Sequence, residues 1–299
     1  MKLAKTLAIL SFAITITTAA YSQTWVSASG SDSGSCTVTA PCKTFAYAVT
    51  QTPVWGQLGV LTRGDYGPVT ITQSITIDGG GLAANVATTG SAITVQVASG
   101  SVVQLHNLSI HGNGASNGIY FASSGQLQID HLQITGFGTC VNMFESGTNS
   151  ADLVVKDTSI DNCGAYGIYI VPAASSSPVV SAKIIDTHIH FANHALYVTT
   201  GVVSVFGSTF SSPGQPGPST VGVQSEGSHI LLDNCQVSGF HWGVMVGLTT
   251  PGYVQLNRSS FVDNYYAGEY ETGQLISNGN NSFFDNTFAP FISGTVALQ

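Results

Sequence analysis

The chain carries little charge, and basic residues are scarce. Asp, Glu, Lys and Arg together make up 7% of the 299 residues, against about 25% in ordinary globular domains. Solubility must therefore come from serine, threonine, asparagine, glutamine and glycine, a surface that suits an exported repetitive β protein better than a helical enzyme. With 7 basic and 15 acidic residues, the formal net charge is −8. That charge argues against nucleic acid as a partner, because the phosphate backbone would be repelled.

Long apolar runs are missing after the amino-terminal segment. Residues 1–22 begin with Lys2 and Lys5, continue with the apolar stretch Leu7–Ile16 and end with small residues up to Ser22. That order predicts a secretory signal peptide cleaved near Ser22. A membrane anchor would need about 20 apolar residues, and threonines interrupt this stretch. We therefore expect a secreted protein, extracellular or periplasmic, with no membrane span in the mature chain.

Cysteine is sparse, with five residues in the chain. Cys36 and Cys42 lie in a loop rich in Ser, Gly, Thr and Pro, and export favours a disulfide between them. Cys140, Cys163 and Cys235 lie in the repeating region, and we interpret them as buried thiols. The odd count leaves at least one cysteine outside any intramolecular pair, and the pairing of Cys140 with Cys163 stays open. Their spacings match no zinc site.

Repetition is what the sequence has in abundance. A short segment ending in an apolar residue recurs at intervals of 21 to 29 residues, and its last positions are Ile110, Ile134, Ile160, Ile189, Phe210, Val237, Phe261 and Phe283. A turn rich in Gly and Asn follows most copies, and a second short strand follows the turn. One such repeat cannot close a core alone, so the period indicates stacked coils that bury a continuous apolar column.

The period and composition predict an all-β fold, a single-stranded right-handed parallel β-helix. A leucine-rich repeat would need a fixed Leu/Asn consensus, and a propeller blade takes about 40 to 50 residues. Antiparallel sandwiches lack copies at a fixed period. A stacked column must cap its ends. We expect residues 23–60 to form an amino-terminal cap with a short helix over Lys43–Gln51, residues 61–287 to form the coils, and residues 288–299 to form a carboxyl-terminal cap.

Four segments near the amino terminus resemble a known family. They are Trp25–Ser33 (WVSASGSDS), Thr39–Phe45 (TAPCKTF), Gly64–Gly67 (GDYG) and Ile75–Gly80 (ITIDGG). Together they are similar to the opening of secreted bacterial proteins of the pectate-lyase-like, right-handed β-helix superfamily. The resemblance implies the fold. It does not imply one activity, because that superfamily holds lyases, glycoside hydrolases, esterases and adhesins.

Alternation along the strands predicts the outer face. In the first repeated segment Leu108 and Ile110 point inward, whereas Asn107, Ser109 and His111 point outward. Equivalent outward positions of successive coils then form columns about 4.8 Å apart. On three consecutive coils these columns bring six ionisable candidates for catalysis to one face: His131, Asp157, Asp161, Asp186, His188 and His190.

Two carboxylates facing a sugar can act as acid and base or as acid and nucleophile, and a histidine can move a proton near neutral pH. Stacked Asp157 and Asp186 would repel each other, which raises one pKa or recruits a cation. Alternation places Lys156 on the opposite side. Asp157, Asp161 and Asp186 are the oxygen ligands that calcium would use, but the sequence supports no metal or other cofactor.

The family's enzymes carry motifs that this sequence lacks. Polygalacturonase-like members are implied to have an Asn-Thr-Asp segment, an Asp-Asp pair, a Gly-His-Gly and an Arg-Ile-Lys, and none of these occurs here. Pectate-lyase-like members are implied to use calcium with an Arg or Lys base. Only Lys156 and Lys183 lie near the candidate acids in sequence.

A second outward column follows the turn, with Tyr169 and Tyr197 on adjacent coils. Its predicted members are Tyr120, Asn142, Tyr169, Tyr197, Gln224, Met245 and Tyr270. Their rings could stack on a sugar, although aromatic residues are enriched in strands in any case. Our first hypothesis is a secreted carbohydrate-interacting or surface-display protein without turnover, with a polysaccharide or cell-surface glycan as partner. The alternative is a polysaccharide hydrolase or lyase that uses the outward aspartates. The sequence does not determine the oligomeric state.

Overall fold

The computed structural model describes residues 23–82, 84–85, 89–144, 150–171, 180–213, 217 and 219–295. The predicted signal peptide, residues 1–22, and the last four residues of the predicted carboxyl-terminal cap lie outside these ranges. No helix within them has the length and apolar character needed to cross a membrane. The described residues form one helix, α1 (Phe45–Gln51), and 27 strands.

Most of the strands have two to six residues and four have 11 to 13, and most of them alternate between buried and exposed positions. In chain order they are β1 (Gln23–Val26), β2 (Gly56–Val60), β3 (Gly64–Asp65), β4 (Val69–Ile71), β5 (Ile75–Asp78), β6 (Ala84–Asn85), β7 (Ser91–Val95), β8 (Val102–His106), β9 (Ser109–Phe121), β10 (Gly125–Asp130), β11 (Gln133–Met143), β12 (Ala151–Lys156), β13 (Ser159–Ile170), β14 (Val180–Ile185), β15 (His188–Val198), β16 (Val202–Phe206), β17 (Thr209–Ser211), β18 (Val221–Ser225), β19 (His229–Asp233), β20 (Gln236–Ser238), β21 (Trp242–Val246), β22 (Gly252–Asn257), β23 (Ser260–Val262), β24 (Glu269–Tyr270), β25 (Gly273–Ser277), β26 (Ser282–Phe284) and β27 (Gly294–Thr295).

The strands stack into two parallel sheets whose order steps once per coil. In the first sheet each strand is hydrogen-bonded to its neighbours in the order β1-β2-β5-β8-β10-β12-β14-β16-β19-β22-β25-β27. The second sheet contains the remaining strands. Every pairing between named strands is parallel; for example, Asp130 pairs with Lys156, and Lys156 pairs with Ile185. Parallel pairing of each coil with the next confirms the predicted β-helix, and residues some two dozen apart in sequence become neighbours.

A left-handed residue turns the chain at the end of each first-sheet strand from β8 to β22. We call this column the first bend; its φ angles lie between 46° and 60°, and its members are Asn107, His131, Asp157, Asp186, Gly207, Asn234 and Arg258. Glycine, asparagine and aspartate tolerate this conformation better than other residues do. Their backbone N–H groups continue the ladder between coils, as when Asp157 N donates to Ile185 O at 3.1 Å. The left-handed conformation at the bend therefore explains the residue types of this column. Three of the predicted catalytic residues, His131, Asp157 and Asp186, belong to it.

Hydroxyl groups inside the core satisfy the backbone next to the first bend. Thr187 Oγ1 donates to Ile185 O at 2.9 Å, and Ser208 Oγ accepts from Thr187 N at 3.1 Å. The same inward column contains, in chain order, Thr158, Thr187, Ser208, Cys235 and Ser259, all buried. The bend interrupts regular strand pairing, so buried backbone groups there need such partners. Most of the other buried side chains are aliphatic or aromatic, and they form one continuous core.

The helix α1 covers the amino-terminal end of this core. Its N-cap is Thr44, whose Oγ1 accepts from Tyr47 N at 3.2 Å, which satisfies one free N–H of the first turn. Phe45, Ala48 and Val49 are its buried residues, the same three that the sequence places on one face. The short helix is confirmed, and it begins two residues later than predicted.

Two disulfides are present among the described cysteines. Cys36–Cys42 agrees with the prediction. The interpretation of Cys140 and Cys163 as buried thiols is wrong, because they are bonded to each other between adjacent coils. Cys235 is a buried free thiol, and burial raises its pKa to about 11.

Two neighbouring left-handed glycines provide a test of the coil contact. Gly114 and Gly136 have φ of 75° and 80°. A Cβ on Gly136 would lie 2.2 Å from the carbonyl oxygen of Gly112 on the preceding coil, whereas a Cβ on Gly114 would meet nothing within 4 Å. We expect Gly114→Ala to lower the free energy of unfolding by about 1 kcal/mol, from backbone strain alone. Gly136→Ala should lower it by about 2 kcal/mol or more, measured by urea unfolding. Equal losses would contradict the close contact between these coils.

Candidate functional site

Four of the six predicted catalytic residues meet at the first bend. His131, Asp157, Asp186 and His188 line a shallow depression of about 340 Å³ on the outer surface. The bend positions His131, Asp157 and Asp186, and His188 is the first residue of β15. The predicted stacking of successive coils therefore places these side chains side by side.

Lys156 lies with these carboxylates rather than away from them, which corrects the expectation that alternation sends it to the other side. Its Nζ is 3.0 Å from Asp157 Oδ2. The Asp157 hydrogen bond, together with the charges of Asp157, Asp130 and Asp186, raises the pKa of Lys156. Alternation holds only within an extended strand. Lys156 ends β12 on its outer face, and Asp157 turns the corner, so both side chains point outward. The ammonium group thus contacts Asp157 and lies within the influence of the Asp186 charge.

Asp130 belongs to the same cluster, although the sequence analysis did not identify it. Its Oδ1 lies 2.8 Å from His131 Nδ1, and its Oδ2 lies 3.5 Å from His106 Nδ1. Potential metal-ligand atoms of Asp130, His131 and Asp157 all lie within 4.8 Å of one another. This is a different set from the three aspartates predicted as calcium ligands, and the Lys156 ammonium already contacts one member.

Asp161 in β13 and His190 in β15 lie outside the depression. Their Cα atoms are partners in the pairing of β13 with β15. His190 Nδ1 is 2.8 Å from Ser211 Oγ, and it is not hydrogen-bonded to Asp161. Asp161 Oδ1 is buried, and none of the residues that the structure describes hydrogen-bonds to it. These two residues thus form no acid-base pair with the aspartates of the bend.

Tyr169 in β13 and Tyr197 in β15 stack on each other, with ring centroids 5.3 Å apart and planes at 22°. Two more rings, those of Tyr166 and His194, lie beside them. The centroid of the Tyr166 ring is 4.2 Å from that of Tyr169 and 5.2 Å from that of His194. We call these four rings the central cluster. Burial, assisted by the charge of Glu226, raises the pKa of Tyr197 to about 12. Burial lowers the pKa of His194 against the opposing effect of Gln224. The rings of Tyr197 and His194 are therefore uncharged at neutral pH.

A second group of stacked rings lies nearer the carboxyl terminus. Trp242 stacks on Tyr266 with planes at 11°, and Tyr266 stacks on Phe288 with planes at 19°. His241 stacks on Tyr265 with centroids 4.7 Å apart. We call these five rings the terminal cluster. Glu269 Oε2 accepts from Trp242 Nε1 at 2.9 Å, which orients the indole.

Both clusters lie on one face. Paired residues of successive coils form one column there, in the order Thr139, Tyr166, His194, Val221, Trp242, Tyr266 and Phe288. The neighbouring column contains Asn142, Tyr169, Tyr197, Gln224, Met245 and Glu269. The repeat predicts Tyr270 opposite Met245 in this column. That alignment is wrong by one residue, because Tyr270 pairs with Val246.

A buried carboxylate lies behind the central cluster. Glu226 is 4% exposed. Its Oε2 accepts from Thr249 N at 2.8 Å and from Thr250 N at 3.2 Å, and its Oε1 accepts from Gln224 Nε2 at 2.8 Å. Burial by itself raises the pKa of Glu226, but the hydrogen bonds outweigh it, so this pKa lies below its ordinary value. The residue is ionised at neutral pH and ties the loop after β21 to the coil of β18.

The stacked coils and their parallel register define a β-helix protein. Consistent with this, the family model described as the right handed beta helix region matches residues 60–186. The chain is thus a right-handed parallel β-helix protein, which agrees with the pectate-lyase-like superfamily that the opening motifs resemble. Comparisons with curated proteins and with solved structures returned no match.

The sequence contained a signal for the aromatic column that the analysis missed. Most of its members stand three residues before a residue of the column that was identified: Tyr166 precedes Tyr169, His194 precedes Tyr197, and Trp242 precedes Met245. Glu226 had no such signal, because the backbone N–H groups that it accepts from lie more than 20 residues away in a loop.

Proposed function

We propose that the protein is a secreted β-helix that binds a polysaccharide or cell-surface glycan on its outer face without turnover. The observation that carries this proposal is the pair of aromatic clusters on one face of the coils. Aromatic rings offer apolar, weakly hydrated surfaces to the C–H groups of sugars, and tyrosine and tryptophan add polar groups. Nothing in this binding mode requires a reactive side chain.

Export is part of the same proposal. Residues 1–22 have the composition of a signal peptide, and two disulfides join pairs of described cysteines. Disulfides of this structural kind persist in oxidising compartments outside the cytosol. The formal charge of −8 makes nucleic acid an unsuitable partner.

A polysaccharide hydrolase or lyase is the second candidate. It is supported by the depression at the first bend, where Asp157 and Asp186 lie on neighbouring coils beside His131 and His188. Glycoside hydrolysis uses a pair of carboxyl groups, and these two line one depression. The contact between Lys156 and Asp157 weighs against it, because that carboxylate is engaged in an ion pair.

A polysaccharide panel separates the two candidates. Binding is measured by affinity electrophoresis, and turnover by the release of reducing or unsaturated ends, for the wild type and for Asp157→Ala/Asp186→Ala. We expect both proteins to bind the same glycan and neither to release product. Product from the wild type and none from the variant would favour the enzyme over a protein that binds without turnover. Absence of binding to every polysaccharide would remove the glycan proposal.

A further inference from the structure

We infer that the central and terminal clusters are two parts of one binding site for a neutral, extended polysaccharide that lies along the axis of the coils. This inference rests on the proposed function and specifies the site, the orientation of the glycan and its charge. It uses three observations: the shared column, the accessible rings and the distribution of charge.

The shared column sets the direction. His194 pairs with Val221, and Val221 pairs with Trp242. The two clusters are therefore two coil steps apart, about 10 Å along the axis. Val221 and Gln224 on the intervening coil are buried and offer no ring. A glycan that contacts both clusters must cross this coil, so its chain must run perpendicular to the strands.

The rings of the terminal cluster are accessible. Tyr265 is 42% exposed and Phe288 is 43% exposed. The phenol oxygens of Tyr265 and Tyr266 form no hydrogen bond with any residue that the structure describes, which leaves them free for sugar hydroxyls. The bond from Trp242 Nε1 to Glu269 holds the indole in place before a ligand arrives, and a preorganised ring loses little entropy on binding.

The charge of this face selects a neutral ligand. The basic residues after the signal segment are Lys43, Arg63, Lys156, Lys183 and Arg258. None of them belongs to either aromatic column. The carboxylate of Glu269 belongs to the second of these columns instead, and that of Glu226 is buried next to Gln224 of the same column. A polyuronate would therefore meet like charge without any cation, and this disfavours its binding. Neutral polymers of hexoses or pentoses carry no such penalty.

Two linked contacts also predict a dependence on length. A disaccharide can occupy only one cluster, whereas a hexasaccharide reaches across the coil between them. Once one end is bound, the second contact becomes intramolecular, so the affinity rises steeply with length. This steep rise distinguishes one extended site from two independent ones.

Isothermal titration tests the inference with cello-, xylo- and manno-oligosaccharides, each as the disaccharide and the hexasaccharide, and with hexagalacturonate. The variants are Tyr169→Ala/Tyr197→Ala for the central cluster and Trp242→Ala/Tyr266→Ala for the terminal cluster. The matched control is His229→Ala/Tyr253→Ala. It removes a stacked pair of rings that belongs to the first sheet, with centroids 5.3 Å apart. Trp242→Phe keeps a ring at its position if the alanine variant fails to fold, and thermal unfolding monitors folding.

We expect at least one neutral hexasaccharide to bind, and either cluster variant to weaken it about tenfold or more. The control should leave its affinity unchanged, and hexagalacturonate should not bind. If a neutral hexasaccharide binds but one cluster variant keeps full affinity, the inference is wrong and the proposed function stands. Preferential binding of hexagalacturonate would also overturn the inference alone. No binding of any oligosaccharide would overturn both.

Discussion

Replacing Glu226 with glutamine is expected to lower the free energy of unfolding by about 3 kcal/mol at pH 7. The carboxylate accepts five hydrogen bonds within the protein, from Gln224, Leu248, Thr249 and Thr250, and two of these end on Oε1. Glutamine keeps one acceptor oxygen but turns an amide N–H₂ toward donors at the other position. Three hydrogen bonds end on Oε2, and a typical hydrogen bond contributes about 1 kcal/mol, which gives the expected loss.

The loss should depend on pH in a defined direction. The pKa of Glu226 in the folded protein lies below its ordinary value of 4.5, so its contribution is fully present above the unfolded pKa. It disappears as the pH falls through the folded pKa, because the protonated acid also directs an O–H toward the donors. Wild type and Glu226→Gln should therefore converge in stability as the pH is lowered from 7 toward 2.

Urea unfolding at a series of pH values measures this convergence. Glu271→Gln is the matched control, because Glu271 is exposed, and we expect no change from it beyond a few tenths of a kcal/mol. A pH-independent difference between wild type and Glu226→Gln would show that side-chain shape, rather than the ionised acceptor, stabilises the loop.

The coil register was predictable from the sequence because it follows from one physical regularity. Inward positions must be apolar to bury a continuous column, so the repeated Ile110, Ile134 and Ile160 mark equivalent places on successive coils. The structure pairs these residues directly. Once that register is known, the neighbourhood of Asp157 and Asp186 follows from it, without knowledge of any side-chain contact.

Prediction failed where the backbone leaves the extended conformation. The left-handed residue at Asp157 resets the alternation, so Lys156 and Asp157 both face outward. Farther along, the pairing of β13 with β15 shifts between Cys163 and Tyr166. Such a bulge adds a residue to one strand only. Assigning alternate strand residues to opposite faces cannot detect a shift of this kind. The positions between the bend and the aromatic column were therefore not predictable in this way.

Composition also hid part of the candidate site. Asparagine, aspartate and histidine at the first bend look like potential chemistry, yet the left-handed angle at Asn107, His131 and Asp157 is sufficient reason for residues of this kind. Conversely, aromatic residues in strands look like ordinary β propensity. The pairing of successive coils is what places Tyr166, Trp242 and Phe288 in one column.

Removing the Cys140–Cys163 disulfide is the second change with a large expected effect. It closes a loop with a sequence separation of 23 residues and links adjacent coils. Constraining the unfolded chain over such a loop contributes about 3 kcal/mol. Both cysteines are buried, with 0% and 1% exposure, so Cys140→Ala/Cys163→Ala should lose at least this amount of unfolding free energy in urea at neutral pH.

Two controls separate the crosslink from the loss of a sulfur atom. Cys36→Ala/Cys42→Ala opens a separation of only six residues, and the same loop-entropy argument predicts a loss smaller by about 1 kcal/mol. Cys235→Ser places a hydroxyl in the inward column that already holds Ser208 and Ser259, and the thiol it replaces donates to Asp233 O at 3.4 Å. We expect this variant to match the wild type within about 1 kcal/mol, because a hydroxyl can make the same bond. If Cys140→Ala/Cys163→Ala were as stable as Cys235→Ser, the parallel stacking alone would hold these coils together, and the disulfide would add no stability.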